Sequence, residues 1–130
     1  MNIKIGIKNE RTFSVTSEML ASHVGSGSID VFSTPTMIAE IERTAAQSVA
    51  SLLDEGKTTV GTYISVNHTD ATPEGMSITV RTELKAISDN GRFLTFEAEV
   101  FDQCGAIGNS THTRAIVDSE RFMTKVKRKR

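Results

Sequence analysis

The chain of 130 residues has the length of one domain, and its hydrophobic content of 38% is enough for a buried core. Its formal net charge of −1 argues against a general binder of nucleic acid. The sequence has no apolar run of about 18 residues that could cross a membrane, and no apolar signal core near its start. Its single cysteine, Cys104, cannot form an internal disulfide. These features predict one domain over residues 1–130 that acts in the cytoplasm, without a membrane or a nucleic acid as partner.

The first half of the chain predicts a strand, a loop and one long helix. Arg11 to Thr16 alternates as a strand does, and Ser17 to Asp30, whose second half contains Gly-Ser-Gly-Ser, is expected to be a mobile loop. Thr34-Pro35 is a typical helix start, because threonine caps free amide groups and proline is tolerated in the first turn. We expect the helix to run from about Thr36 to Glu55 and to end at Gly56.

Four strand-like segments follow the helix and are separated by turn signals: Thr58–Thr69, Met76–Ser88, Arg92–Asp102 and Ile107–Asp118. Consecutive strands joined by tight turns indicate an antiparallel meander, because parallel neighbours require long crossovers. One apolar helix with such a meander predicts an α+β fold, in which the sheet packs on the helix or curls around it.

One carboxylate of the predicted helix lies on an unexpected face. The face expected to be buried carries apolar residues at helical spacing: Ile38, Ile41, Ala45, Val49 and Leu52. Glu42 falls within this stripe, whereas Glu40 and Arg43 fall well away from its centre. An ionised carboxylate in a core is costly without a partner. Glu42 is therefore a candidate general base or nucleophile. Two simpler explanations remain: Glu42 lies at the edge of the stripe and reaches solvent, or it forms a structural ion pair.

Two of the three histidines lie in strand-like segments, and His23 lies in the loop. His68 ends a strand just before a turn. His112 lies two residues before Arg114 in a strand, so the side chains of His112 and Arg114 point to the same face. From the pattern alone, a structural role is the simpler explanation of either strand histidine. The sequence has no HExxH motif, no CxxC pair and no cluster with metal-ligand spacing, so we predict no metal site. It also lacks a GxSxG elbow, a Walker loop and a GxGxxG fingerprint.

Three stretches together resemble the fluoroacetyl-CoA thioesterase family, a branch of the hot-dog-fold acyl-CoA thioesterases. They are Phe32-Ser33-Thr34 with Glu42 eight residues on, Gly61-Thr62 leading to the segment Val66–Gly75, and Ile107-Gly108 leading to the segment Thr111–Ala115. The resemblance spans about Phe32 to Lys127, and the segment around His68 is its most specific part. It implies a hot-dog fold, in which five to six antiparallel strands wrap around one long central helix.

The resemblance also implies an activity and a set of site residues. Thr34, Glu42 and His68 match the family's catalytic residues, and Gly61 and Arg114 match positions that contact the CoA thioester. The implied reaction hydrolyses a small acyl-CoA to acid and CoA without a cofactor, since CoA is part of the substrate. Glu42 would act as nucleophile or general base, His68 as acid or base, and Thr34 as an orienting residue.

Domains of this family pair as homodimers, with a tetramer as the alternative assembly, and their active sites lie at the subunit interface. On one helix, Thr34 and Glu42 would stand roughly 12 Å apart along the axis, too far to touch. We therefore expect each active site to combine residues of two subunits.

Two features depart from the family pattern. Ser22 to Asp30 is short, rich in glycine and serine and free of Phe, Tyr and Trp, and Thr36 replaces an aromatic residue near the helix start. Selectivity for fluoroacetyl-CoA is therefore not part of the prediction. The basic C-terminal segment from Ser119 to Arg130 ends in KVKRKR and is expected to be a solvated tail or to attract the CoA nucleotide.

Three other functions are compatible with the sequence: a non-catalytic acyl-CoA-binding domain, a hot-dog enoyl-CoA hydratase and a basic-tailed interaction domain. The hydratase is less well supported, because its usual Asp-x(4)-His arrangement is missing.

Overall fold

The computed structural model describes residues 2–130, in which five strands form one antiparallel sheet. The strands are β1 (Lys8–Ser14), β2 (Lys57–His68), β3 (Ser77–Ile87), β4 (Phe93–Asp102) and β5 (Gly105–Asp118). The helices are α1 (Ala21–Val24), α2 (Thr34–Ala50) and α3 (Ser119–Lys127). The α+β class, the five-stranded antiparallel sheet and the long helix packed on it are as predicted.

The order of strands across the sheet is β1-β3-β4-β5-β2, so the predicted meander holds only for β3, β4 and β5. Strand β2 pairs with β5 instead of β3. The connection between β2 and β3 is diverted past the start of α2, where the Phe32 amide donates to the Thr72 carbonyl at 2.8 Å and Val31 bridges to Pro73. The connection is therefore not a hairpin, although the predicted turn is present, with Gly75 at a φ of 91°.

Helix α2 begins earlier and ends earlier than the sequence predicted. Ser33 is its N-cap, because the Ser33 hydroxyl accepts a hydrogen bond from the Thr36 amide at 3.2 Å, and Thr34 is already the first helical residue. The helix ends at Ala50, not at Glu55. Gly56 belongs to the following turn into β2, where its φ of 82° is one that glycine adopts readily.

The buried face of α2 is rotated from the predicted stripe. Its buried residues are Met37, Glu40, Ile41, Thr44, Ala45 and Val49, whereas Ile38 is half-buried. The prediction for Glu40 was wrong, since this side chain is buried. It is tolerated there because Arg11 of β1 lies 2.5 Å from one carboxylate oxygen and Arg43 lies 3.6 Å from the other. The residue pattern of the helix alone could not reveal a partner on β1.

Two segments predicted to be irregular contain helices. Ser17–Met19 forms a short 3-10 helix and α1 follows it, and the Ser22 hydroxyl donates to the Asp30 carboxylate across the rest of the segment. The C-terminal segment forms α3, whose first turn is capped by Asp118 accepting from the Arg121 amide at 3.0 Å. No helix in residues 2–130 is long and apolar enough to cross a membrane.

The two edge strands of the sheet differ in character. Strand β1 presents three charged side chains in seven residues, whereas the twelve residues of β2 contain one, Lys57, and no proline. Strand β2 also carries a bulge, since Gly61 pairs with Arg114 and Tyr63 with Thr113, which leaves Thr62 as an extra residue.

Candidate active site

The first cluster of predicted site residues joins the start of α2 to the end of β2. The Thr34 hydroxyl and His68 Nδ1 lie 2.8 Å apart, within hydrogen-bonding distance. The His68 ring and the buried Phe32 ring pack in a T-shaped arrangement, with ring centroids 6.3 Å apart. Burial lowers the pKa of His68, against a smaller opposing effect of Asp70, so the imidazole is neutral at pH 7. His68 Nε2 is buried and has no hydrogen-bond partner among residues 2–130, so one of the two ring nitrogens is left unpaired.

The second cluster joins Glu42 of α2 and Gly61 of β2 to Arg114 of β5. Glu42 Oε2 stands 3.7 Å from Arg114 Nη1. A Cβ atom built on Gly61 would lie 2.7 Å from Glu42 Oε2, a contact that real Cβ atoms do not make. The carboxylate therefore occupies the space that a side chain at position 61 would take. Since the Glu42 side chain is 40% exposed, it lies at the edge of the buried stripe and not at its centre.

Arg114 is held in one orientation by three hydrogen bonds. Its Nε donates to the Thr59 hydroxyl at 2.8 Å, its Nη2 donates to the Thr59 carbonyl at 3.0 Å, and its Nη1 lies 3.1 Å from His112 Nε2. Burial lowers the pKa of Arg114 and the Glu42 carboxylate opposes that effect, so the guanidinium remains charged. The cation is thus fixed beside the carboxylate with part of its donor fork still free.

His112 was not predicted as a site residue, yet it completes this cluster. Its Nδ1 lies 2.8 Å from the Tyr63 carbonyl, which can only accept, and its Nε2 faces Arg114, which can only donate. The ring must therefore be neutral, with its proton on Nδ1. Burial lowers the pKa of His112, and Arg114 lowers it further against the opposing effects of the Tyr63 carbonyl and Glu42. The available sequence signal was the two-residue spacing from His112 to Arg114, which places both on one face.

Within one chain the two clusters remain apart. Thr34 and Glu42 are eight residues apart on α2, which is roughly 12 Å along the helix axis. The structure thus unites Thr34 with His68, and Glu42 with Gly61 and Arg114, but leaves the two groups separate. No group of three or more His, Cys, Asp or Glu side chains that could hold a metal ion occurs in the described part of the chain.

Both clusters lie on elements whose sequence resembles known proteins. The model of the fluoroacetyl-CoA-specific thioesterase family matches residues 15–120, which include every member of the two clusters. The chain belongs to this family. It is 37% identical over 100 residues to the fluoroacetyl-CoA thioesterase of Streptantibioticus cattleyicolor, covering 77% of this chain and 70% of that protein. The predicted family and the assignment to the thioester hydrolases are confirmed.

Solved structures agree with this family membership. A crystal structure of the fluoroacetyl-CoA thioesterase FlK superposes with a TM-score of 0.92 at 30% identity, covering 100% of this chain and 99% of that one. A thioesterase superfamily member of Thermus thermophilus superposes with a TM-score of 0.89 at 21% identity, covering 98% and 94% of the two chains. The second similarity shows the shared fold alone, and the predicted hot-dog fold is confirmed.

Proposed function

We propose that this protein hydrolyses a small acyl-CoA thioester to the free acid and CoA, with Glu42, His68 and Thr34 as catalytic residues. One observation carries the proposal: Glu42 faces the bare backbone of Gly61 beside the fixed cation of Arg114. A thioester carbonyl placed there meets a carboxylate that can attack it and donors that can stabilise its developing negative charge. The family relatives named above support the substrate class.

Two routes use these residues without a cofactor. In the covalent route, a Glu42 oxygen attacks the carbonyl carbon, the C–S bond breaks, and water then hydrolyses the acyl-glutamyl anhydride. In the direct route, Glu42 takes a proton from water, whose oxygen attacks the same carbon. In both, the C–S bond breaks and the departing CoA thiolate takes up a proton that comes from the water consumed. Since His68 is neutral, its unpaired Nε2 would relay that proton, taking it from water or from the protonated Glu42 and passing it to the thiolate. Thr34 orients the imidazole through its hydrogen bond to Nδ1.

Each complete site requires both clusters, and we propose that a homodimer supplies them. Strand β2 is a twelve-residue edge with one charged side chain and no proline, which leaves it suited to pairing with a second copy, whereas the charges of β1 protect the opposite edge. Antiparallel pairing of two β2 strands about an axis near Ile64 and Ser65 would bring Gly61 opposite the partner subunit's His68. The Glu42 cluster of each chain would then face the Thr34–His68 pair of the other.

Mixing inactive subunits tests both the residues and the dimer. Thr34→Ala and Glu42→Ala subunits, unfolded together and refolded, should recover roughly a quarter of wild-type thiol release, since half the dimers are mixed and each has one intact site. Thr34→Ala mixed with His68→Ala is the control and should show no activity beyond that of the separate variants, because both residues belong to the same cluster. Recovery in the control, or none in the first mixture, would contradict the shared site.

A screen that measures thiol release from short, branched and aromatic acyl-CoAs would identify the acyl group that the protein hydrolyses. Hydrolysis of none of them, with tight binding retained, would favour the acyl-CoA-binding domain instead. Hydration of crotonyl-CoA in place of hydrolysis would favour the hydratase.

A further inference from the structure

A groove of about 540 Å³ lies beyond the end of α2, beside α3. Four cationic side chains line it: Lys57 at the start of β2, Arg92 from the turn before β4, and Arg121 and Lys125 of α3. Phe122 of α3 also lines it, with 37% of its surface exposed. We call this feature the basic groove.

The cations of the basic groove are not neutralised by ion pairs. Within residues 2–130, no carboxylate oxygen lies within 4.0 Å of their charged nitrogens, in contrast to four other arginines that do form ion pairs: Arg11, Arg43, Arg81 and Arg114. Two carboxylates also line the groove, Asp54 and Asp118, so two positive charges remain in excess. Asp118 is already engaged, because the hydrogen bond from the Arg121 amide and the nearby Lys57 and Arg121 hold its pKa below its usual range. The groove therefore suits a ligand with several negative charges.

The position of the groove relates it to the candidate active site. Every second residue of β2 points to the side of the sheet that faces α2, and these residues include Lys57, Thr59 and Gly61. At the usual rise per residue, Lys57 stands roughly 13 Å from Gly61. On β5, the partners of Lys57 and Gly61 are Asp118 and Arg114, so both strands lead from the Glu42 cluster to the groove. A ligand with its reacting carbonyl at Glu42 and an extended flexible arm would place its far end in the basic groove.

We propose that the basic groove binds the phosphorylated adenosine end of the CoA substrate. Arg121, Lys125, Lys57 and Arg92 would contact its phosphate groups, and the exposed face of Phe122 would pack against the adenine ring. This inference rests on the proposed acyl-CoA hydrolysis and adds a second binding site at the other end of the same substrate. It also separates two parts of the basic C-terminal segment, because Lys125 lines the groove whereas Lys127 and the residues after it do not.

Two double variants of equal charge test the groove. In Arg121→Gln/Lys125→Gln we expect the Kd of CoA and of 3′,5′-ADP, measured by calorimetry, to rise about five- to thirtyfold, as for the loss of two charge-assisted contacts near the surface. The matched control, Lys127→Gln/Arg128→Gln, removes two charges from the same end of the chain outside the groove and should leave both constants unchanged. Equal effects of the two variants would mean that the positive charge of the C-terminal segment attracts CoA without a specific site, and this result would overturn the proposal.

Kinetics on a shortened substrate separate the groove from the chemistry. The groove variant should raise KM for an acyl-CoA with little change in kcat, while kcat/KM for the same acyl group on pantetheine, which lacks the nucleotide, stays at the wild-type value. A loss on the pantetheine thioester equal to that on acyl-CoA would overturn the groove proposal. Failure of the wild-type protein to hydrolyse either thioester would instead refute the proposed function. Increasing salt should raise KM for acyl-CoA more steeply in the wild type than in the groove variant.

Discussion

Thr34 and His68 stand 34 residues apart in the chain, yet their hydroxyl and Nδ1 atoms lie 2.8 Å from each other. The contact joins the first turn of α2 to the last residue of β2, so it fixes the imidazole to the end of the helix that Ser33 caps. It also engages Nδ1 in a contact with the protein, so Nε2 is the ring nitrogen that remains for the proposed proton transfer.

This pair predicts opposite results for two substitutions of similar size. Thr34→Val removes the hydroxyl but keeps the shape, so we expect kcat to fall about tenfold or more, the effect of a lost hydrogen bond to a partly buried partner. Thr34→Ser keeps the hydroxyl and should retain most of the activity. Steady-state thiol release measures both, and equal activity of the two variants would contradict an orienting role for the hydroxyl.

The two glutamates of α2 provide a matched comparison. Glu42→Gln removes the group proposed to act on the carbonyl, and we expect turnover to fall by roughly 10² to 10⁴. Glu40→Gln weakens the buried pair with Arg11, so it should lower the free energy of unfolding and leave turnover near the wild-type value. Urea unfolding and thiol release, measured on both variants, distinguish the two roles. Near-normal hydrolysis by Glu42→Gln would refute its assignment.

A methyl group at position 61 should disable the site without unfolding the protein. In Gly61→Ala the new Cβ would stand 2.7 Å from Glu42 Oε2 and 3.2 Å from His112 Cε1, so the flexible carboxylate must leave its place beside residue 61. We expect a loss of activity of about tenfold or more with an almost unchanged unfolding midpoint, since a misplaced catalytic group is costly in rate. Gly27→Ala is the control, because its Cβ meets only Ala21 at 3.4 Å, an ordinary contact. Unchanged kinetics in Gly61→Ala would show that Glu42 acts from another position.

The neutral, buried His112 predicts a dependence of stability on pH. Burial holds its folded-state pKa below the usual 6.5, so under acid conditions the unfolded chain binds a proton that the folded protein does not. The free energy of unfolding should therefore be highest above pH 6.5 and fall as the pH drops below that value. Protonation would also remove the acceptor that Arg114 Nη1 uses.

Urea midpoints measured across this pH range test the prediction. His112→Gln should show a shallower decline than the wild type, and the part that remains is attributed to His68, whose pKa is lowered in the same direction. His23→Gln, at an exposed position on α1, is the control and should keep the wild-type slope. A His112 variant with the wild-type slope would place the acid sensitivity elsewhere.

Local patterns predicted most of the elements, but the pairing of the sheet depends on distant contacts. Strand-like segments and turn signals located all five strands. The diversion that keeps β2 away from β3 instead involves the hydrogen bond from Phe32 to Thr72, which no local pattern contains. The helix α3 carried readable signals in the Asp118 cap and in Lys125 and Lys127 near its end, but its charge favoured the interpretation as a solvated tail.

The candidate site shows the same division. Helical periodicity indicated Glu42 as unusual but predicted Glu40 to be an exposed residue. That prediction was wrong because the burial of Glu40 depends on Arg11, which belongs to another element. Family resemblance supplied Thr34, His68, Gly61 and Arg114, and their roles remain predictions. The two-residue spacing placed His112 on the same face as Arg114, but it gave the histidine no role. That role arises from the geometry of a carbonyl on one side and a guanidinium on the other.

The extra residue at Thr62 determines which residues of β2 point towards α2. Gly61 and His68 are an odd number of positions apart, and in a regular strand such residues point to opposite faces of the sheet. Because the bulge adds one residue between them, Gly61 pairs with Arg114 and His68 with Gly108, both on the side that faces α2. Deleting this single threonine would turn either the glycine or the histidine towards solvent, so the count of residues between them matters as much as their identity.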